Sequence, residues 1–97
     1  MMGKNPSNIF RELYKEAKQR QKTIGSVEGS IKGMIYKLNE EDHCFYVMYE
    51  KVIKNFLKEG YPVKKAEKHI AQWIDNDLIT MRYAEGYRLI GLYEDVM

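Results

Sequence analysis

The sequence predicts a small α+β domain in which about four helices are followed by a C-terminal β-hairpin. Over most of residues 7–75 apolar side chains recur every three or four positions, which is the period of a helix packed along one side. After a polar corner at residues 75–77 the apolar period changes to two, which is typical of strands. A turn containing glycine divides this last stretch and indicates a hairpin.

Length and composition indicate one ordinary globular domain. The 97 residues can form a core without disulfide or metal, and 44% hydrophobic with 31% charged residues excludes a disordered chain. No apolar run approaches the roughly 18 residues that span a bilayer, and no signal-peptide segment follows Met1. We therefore expect a cytoplasmic protein without a membrane partner. The single cysteine, Cys44, cannot form an internal disulfide.

The first predicted helix follows a cap at residues 6–8 and ends near Gln21. We assign residues 1–24 to an N-terminal extension and residues 25–97 to the main domain. The extension carries a basic face and an apolar stripe that must be buried against something. One alternative is a homodimer through that stripe, and the other is a helix that folds back on its own domain. The stripe consists of Phe10, Leu13, Tyr14 and Ala17.

Two further helices are predicted before the last one. The second begins at a Ser26 cap and continues to about Leu38. The third is the longest and runs from Asp42 to Lys58, where Gly60 ends it. Its inward residues follow helical spacing and are Phe45, Met48, Tyr49, Val52, Ile53, Phe56 and Leu57.

The fourth helix and the hairpin occupy residues 63–75 and 79–92. Pro62 suits the first turn of a helix, because its fixed φ and missing N–H cost nothing there. Ile79, Met81 and Tyr83 are predicted to share one side of the first strand. Residues 84–86, Ala-Glu-Gly, are predicted as a three-residue hairpin loop.

Helix, corner and hairpin in this order resemble the recognition helix and wing of a winged helix-turn-helix domain. The resemblance is carried by the segment HIAQWIDNDLITMRYAEGYRLIGL, with a Leu-Ile entry into the wing and a Tyr-x-Leu return. In this scheme the helices from Ser26 and Asp42 are the first two of the winged domain, and the latter is longer than is usual. The corner at residues 59–63, Glu-Gly-Tyr-Pro-Val, also resembles the winged domain appended to archaeal replicative helicases.

The resemblance implies a protein that binds double-stranded DNA, most often as a small transcriptional regulator. Side chains on the solvent face of the recognition helix reach base edges, and wing cations meet phosphates or the minor groove. Glutamine and asparagine can pair with adenine, whereas lysine supplies charge. A net charge of +2 is compatible with this role. The candidate DNA-binding residues are Lys64, Lys65, Lys68, His69, Gln72, Asn76, Arg82 and Arg88.

A protein-interaction module and an enzyme are the two alternatives to a DNA-binding protein. A winged helix can serve as a protein-interaction module in a replication or other assembly, in which case the lysines are merely solvated. Eight tyrosines are more than so small a core can bury, so some are expected at an interface or along a nucleic-acid groove. An enzyme is disfavoured because no catalytic constellation is present. The adjacent His43 and Cys44 are too few for a metal site, and no cofactor is expected.

Overall fold

The computed structural model describes residues 3–24 and 31–97. This part of the chain forms four helices and a three-stranded antiparallel sheet, which confirms the predicted α+β class. The predicted helix start at Ser26 lies outside the described residues. None of the described helices has the length and apolar character needed to cross a membrane. In chain order the elements are α1 (Pro6–Ile24), α2 (Ile31–Asp42), β1 (Phe45–Met48), α3 (Tyr49–Lys58), α4 (Val63–Asp75), β2 (Ile79–Ala84) and β3 (Tyr87–Leu92).

Helix α1 is part of the core, not an appendage to it. The stripe that could have formed a dimer interface is buried within the same chain, with Phe10 and Leu13 at 0% exposure and Tyr14 and Ala17 below 10%. The ring centroid of Phe10 lies 5.6 Å from that of Phe56 on α3. The alternative in which the helix folds back is therefore the observed one. The stripe is therefore not exposed as the interface of the predicted homodimer.

The predicted third helix is wrong in its first half. Residues 45–48 form β1, which pairs antiparallel with β3, and only residues 49–58 are helical. Helix α2 continues to Asp42, and His43 then takes a left-handed φ of 54°, which turns the chain into the strand. Pairing with β3 supplies backbone hydrogen bonds that the helical alternative would have supplied locally. Helix α3 is consequently ten residues long and is not the longest helix, contrary to the sequence prediction.

The sheet has the order β1-β3-β2, so β3 is central and is covered on both faces. One face carries Val47, Ile79, Ile90 and Leu92 and packs in one cluster with side chains of α1, α3 and α4. The other face carries Tyr46 and Leu89, and α2 covers it with Leu38 and the half-buried Met34 and Ile35. Alternate residues of the strands thus enter two separate clusters, as the two-residue period of a strand requires.

The hairpin turn is shorter than predicted. Ala84 pairs with Tyr87 in the ladder, which leaves a two-residue turn at Glu85 and Gly86. Both turn residues have positive φ, 51° and 83°, as a primed hairpin turn requires. The shared side of Ile79, Met81 and Tyr83 becomes more exposed toward the turn. Ile79 is buried, Met81 is 37% exposed and Tyr83 is 68% exposed.

The corner between α3 and α4 follows the prediction. Gly60 ends α3 with a φ of 90°, and the N–H of Tyr61 donates to the carbonyl of Phe56. The arrangement of α1, α3, α4 and the sheet is compatible with a winged-helix layout. In that layout α1 packs with α3, whereas α2, which we had assigned as the first winged-domain helix, covers the opposite face of the sheet.

Candidate nucleic-acid interface

Helix α4 presents the predicted lysine face to solvent. Ala66 and Ile70 point into the core, with Trp73 and Ile74 partly buried beside them. The ring of Trp73 lies 4.4 Å from that of Phe10, which fixes the helix against α1. Because inward and outward residues alternate at helical spacing, the remaining positions face outward. Those exposed on this side are Lys64, Lys65, Lys68 and Gln72, together with Glu67.

The exposed lysines of this region have no ion-pair partner among the residues that the structure describes. None of them forms an ion pair within residues 3–24 and 31–97, whereas Lys4, Lys18 and Lys51 pair with Glu12, Glu94 and Glu16. Two lysines of α3 that the sequence analysis did not select share this property. Their four-residue spacing on the polar side of α3 was the signal that could have identified them. The unpaired set is Lys54, Lys58, Lys64, Lys65 and Lys68.

The first turn of α4 adds to the positive character of this surface. Pro62 precedes the helix with extended backbone and contributes no side-chain cap, and the first turn contains no acidic residue. The first backbone N–H groups of a helix lack intrahelical acceptors and carry the positive end of its dipole. Lys64 and Lys65 lie in this same turn. The arrangement can accept an anionic group such as a phosphate.

Two predicted contacts on α4 have other roles in the structure. The ring of His69 is partly buried and stacks on Phe56 with 6.1 Å between centroids, while its edge meets Tyr61 at 5.6 Å. It is therefore a packing residue at the α3–α4 corner and does not belong to the outward face. Asn76 is exposed, and its Nδ2 donates to the carbonyl of Gln72 at 2.9 Å. This bond satisfies a carbonyl at the end of the helix.

Arg82 is engaged by the protein itself. Its Nη1 lies 2.5 Å from Asp42 Oδ2, and its Nη2 lies 3.8 Å from Glu41. The Tyr46 hydroxyl donates to the same carboxylate oxygen at 2.6 Å. Hydrogen bonds from Tyr46 and then Arg82 hold the pKa of Asp42 below its usual range. Arg82, which the sequence predicts to contact phosphate, thus connects β2 to the end of α2.

Arg88 also has a partner within the chain. Its guanidinium carbon lies 3.7 Å from the centroid of the Tyr49 ring, in the geometry of a cation–π contact. Burial, and next the negative charge of Glu67, raise the pKa of the Tyr49 hydroxyl. The space between α4 and the hairpin therefore contains a carboxylate as well as cations. The two hairpin arginines lie on opposite faces of the sheet.

The exposed tyrosines lie at the tip of the hairpin. Tyr83 and Tyr87 are 68% and 38% exposed, and Met81 is a third exposed apolar side chain on β2. Four other tyrosines are buried, namely Tyr14, Tyr46, Tyr49 and Tyr61. The eight tyrosines are thus divided among the core, this tip and the half-buried positions of Tyr36 and Tyr93. The register places Tyr83 and Tyr87 on opposite faces of the hairpin, and each can contact a partner through its ring and its hydroxyl.

The described residues contain no group of three or more His, Cys, Asp or Glu side chains that could hold a metal ion. Cys44 is buried, and this burial raises the pKa of its thiol to about 11. Comparisons with protein-family models, with curated proteins and with solved structures found no match. The arrangement of side chains in this chain is therefore the basis for a functional proposal.

Proposed function

We propose that the chain binds double-stranded DNA through α4 and the hairpin, as a small transcriptional regulator. The observation that carries the proposal is the clustering along α3 and α4 of five exposed lysines, between residues 54 and 68, that form no ion pair with any described residue. Lysines near a helical surface are usually solvated or paired with carboxylates. A run of them that lacks partners, next to an uncapped helix start, is suited to neutralise a phosphate backbone.

The parts of α4 would have different roles on DNA. Its first turn, with Lys64 and Lys65, would contact phosphates and position the helix. Lys68 and Gln72 lie one and two turns further on the same face, where they would reach base edges. Lys54 and Lys58 would contact the DNA backbone beside the corner between α3 and α4. Glu67 on the same helix would disfavour close approach of a phosphate at that point.

The hairpin would act in a different way from the one that the sequence suggested. Arg82 and Arg88 hold the hairpin to α2 and to Tyr49, so neither needs to touch DNA. The exposed Tyr83, together with Met81, would instead lie against sugar and phosphate. Contacts of this kind position a protein on a duplex and carry little sequence information.

The test is fluorescence-anisotropy titration of a labelled random-sequence duplex at about 50 and about 200 mM salt. Wild type should bind in the micromolar range at the lower concentration and lose affinity steeply at the higher. Lys65→Gln/Lys68→Gln should weaken binding about tenfold and reduce the salt slope by roughly one, because one of the two lysines contacts phosphate. Lys15→Gln/Lys37→Gln makes the same change in charge on α1 and α2 and should leave affinity nearly unchanged. Equal losses in both double variants would show that α4 is not the interface.

The second candidate function is a protein-interaction module in a multi-subunit assembly. The exposed Met81, Tyr83 and Tyr87 favour it, because aromatic and methionine side chains are enriched at protein interfaces. No DNA binding at about 50 mM salt would support this candidate. A partner held through the hairpin should also dissociate little as salt rises, since apolar contacts are insensitive to screening.

A further inference from the structure

A cavity of about 110 Å³ lies on the side of the molecule formed by α1, α2 and β1. It follows the edge of β1 that does not pair with β3, and the start of α3 closes one end. Its apolar surface comes from Ala17, Ile35 and Val47 together with Met48. None of its described lining residues belongs to α4 or to the hairpin.

The polar residues that line the cavity give it a definite charge. Arg20, Lys32 and Lys51 contribute to its wall, and no aspartate or glutamate is among its described lining residues. Lys51 pairs with Glu16 at 3.5 Å, whereas Lys32 forms no ion pair with any residue of the described ranges. An apolar hollow bordered by the unpaired Lys32 is complementary to an anion that has an apolar body.

The volume of the cavity, which is open to solvent on one side, suits a small molecule. A cavity of about 150 Å³ lined by apolar side chains can hold benzene, so about 110 Å³ suits roughly four or five carbon atoms. An added peptide strand is disfavoured, because the outward N–H of Tyr46 on β1 already donates to Asn39 Oδ1 at 2.6 Å. A strand pairing at this edge would first have to displace the Asn39 side chain.

We propose that the cavity binds a short branched-chain carboxylate. Its alkyl group would lie against Ile35, Val47 and Met48, and its carboxylate would be held at the mouth by Lys32. The chain would then be able to sense an organic acid, whether or not it binds DNA.

The test is a methyl-resolved NMR titration of the full chain with 3-methylbutanoate as the probe. We expect saturable shifts of the Ile35, Val47 and Met48 methyl groups, with a dissociation constant on the order of 1 mM or tighter. The uncharged 3-methylbutanamide has the same shape and should bind about tenfold more weakly, because it lacks the charge-assisted contacts. Acetate, which lacks the branched chain, should also bind much more weakly.

Matched variants on α2 complete the test. Lys32→Gln should weaken binding of 3-methylbutanoate about tenfold. Lys37→Gln changes an exposed lysine of the same helix that does not line the cavity, and it should bind as wild type does. Thermal unfolding of both variants checks that they fold. The proposal is overturned if the shifts do not saturate, if the amide binds as tightly as the carboxylate, or if Lys32→Gln leaves affinity unchanged.

Discussion

The cations that the sequence places on one DNA-binding surface divide into two sets with different surroundings. The hairpin arginines are engaged inside the protein, Arg82 by Asp42 and Arg88 by the ring of Tyr49. The three lysines of α4, Lys64, Lys65 and Lys68, have no ion-pair partner in the described part of the chain. A guanidinium suits fixed, planar contacts, and an ammonium is a hydrated point charge. From this difference we expect the arginines to contribute to the stability of the hairpin and the lysines to contribute to ligand binding.

Removing the lysines should produce the largest separation between the two sets. In Lys64→Gln/Lys65→Gln/Lys68→Gln, DNA affinity at about 100 mM salt should fall about a hundredfold and the salt slope by roughly two, because the phosphate contacts of Lys64 and Lys65 are lost together with the base contact of Lys68. The thermal midpoint should stay within about one degree of wild type, since exposed unpaired lysines contribute little to stability. Anisotropy and circular dichroism measure the two quantities. A lower midpoint with unchanged affinity would reverse the assignment of the sets.

A substitution in β3 should lower stability near Arg82 and leave the lysines of α4 unaffected. A Cβ at Gly91 would lie 2.6 Å from Thr80 Cγ2 and 2.9 Å from the ring of Tyr46, whose hydroxyl holds Asp42. Gly91→Ala should therefore lower the free energy of unfolding by about 1–3 kcal/mol in urea titrations, through overpacking. Adding Thr80→Ser removes the nearest atom and should restore part of the loss. No restoration would mean that the Tyr46 contact decides the effect.

The contact between Arg88 and Tyr49 should give a smaller effect. A double-mutant cycle of Arg88→Gln and Tyr49→Leu should show a coupling of about 0.5–1 kcal/mol in the free energy of unfolding. The cycle of Lys65→Gln with Tyr49→Leu is the control and should show none. Coupling of equal size in both cycles would remove the distinction between the arginine and the lysines.

The smallest effect concerns acid stability. Because Tyr46 and Arg82 lower the pKa of Asp42 in the folded chain, its contribution is complete above about pH 4 and disappears as pH falls through the folded pKa. Asp42→Asn should therefore lose less stability than wild type between about pH 4 and pH 2.5. Urea midpoints over this range measure the difference. Asp75→Asn, at an exposed carboxylate without an ion pair in the described ranges, should follow wild type.

The strand β1 shows why part of the fold could not be predicted. Phe45, Met48, Tyr49 and Val52 have helical spacing, and Phe45 and Val47 also alternate with Tyr46 and Met48 as a strand does. Periodicity alone cannot separate these alternatives. Pairing with β3, more than forty residues later in the sequence, decides between them. The hairpin and the end of α3 were predictable because a turn and a glycine cap are local signals.

The candidate site divides in a similar way. The exposure of Lys64, Lys65 and Lys68 follows from helical spacing, which a sequence displays directly. The engagement of Arg82 by Asp42 depends on two residues 40 positions apart, and no pattern within either segment indicates it. The N-terminal stripe shows the same limit, since amphipathicity predicts that a face is buried but does not identify the surface that covers it.

The burial of Cys44 makes the chain convenient for site-directed chemistry. It is the sole cysteine of the sequence, and with a thiol pKa of about 11 only about one molecule in ten thousand carries the reactive thiolate near pH 7. A cysteine introduced at an exposed position, as in Lys64→Cys, would therefore react first with a maleimide or a photo-crosslinker. Wild type already provides an almost unlabelled background. Cleavage or crosslinking from that one position would map the path of DNA along α4 base by base.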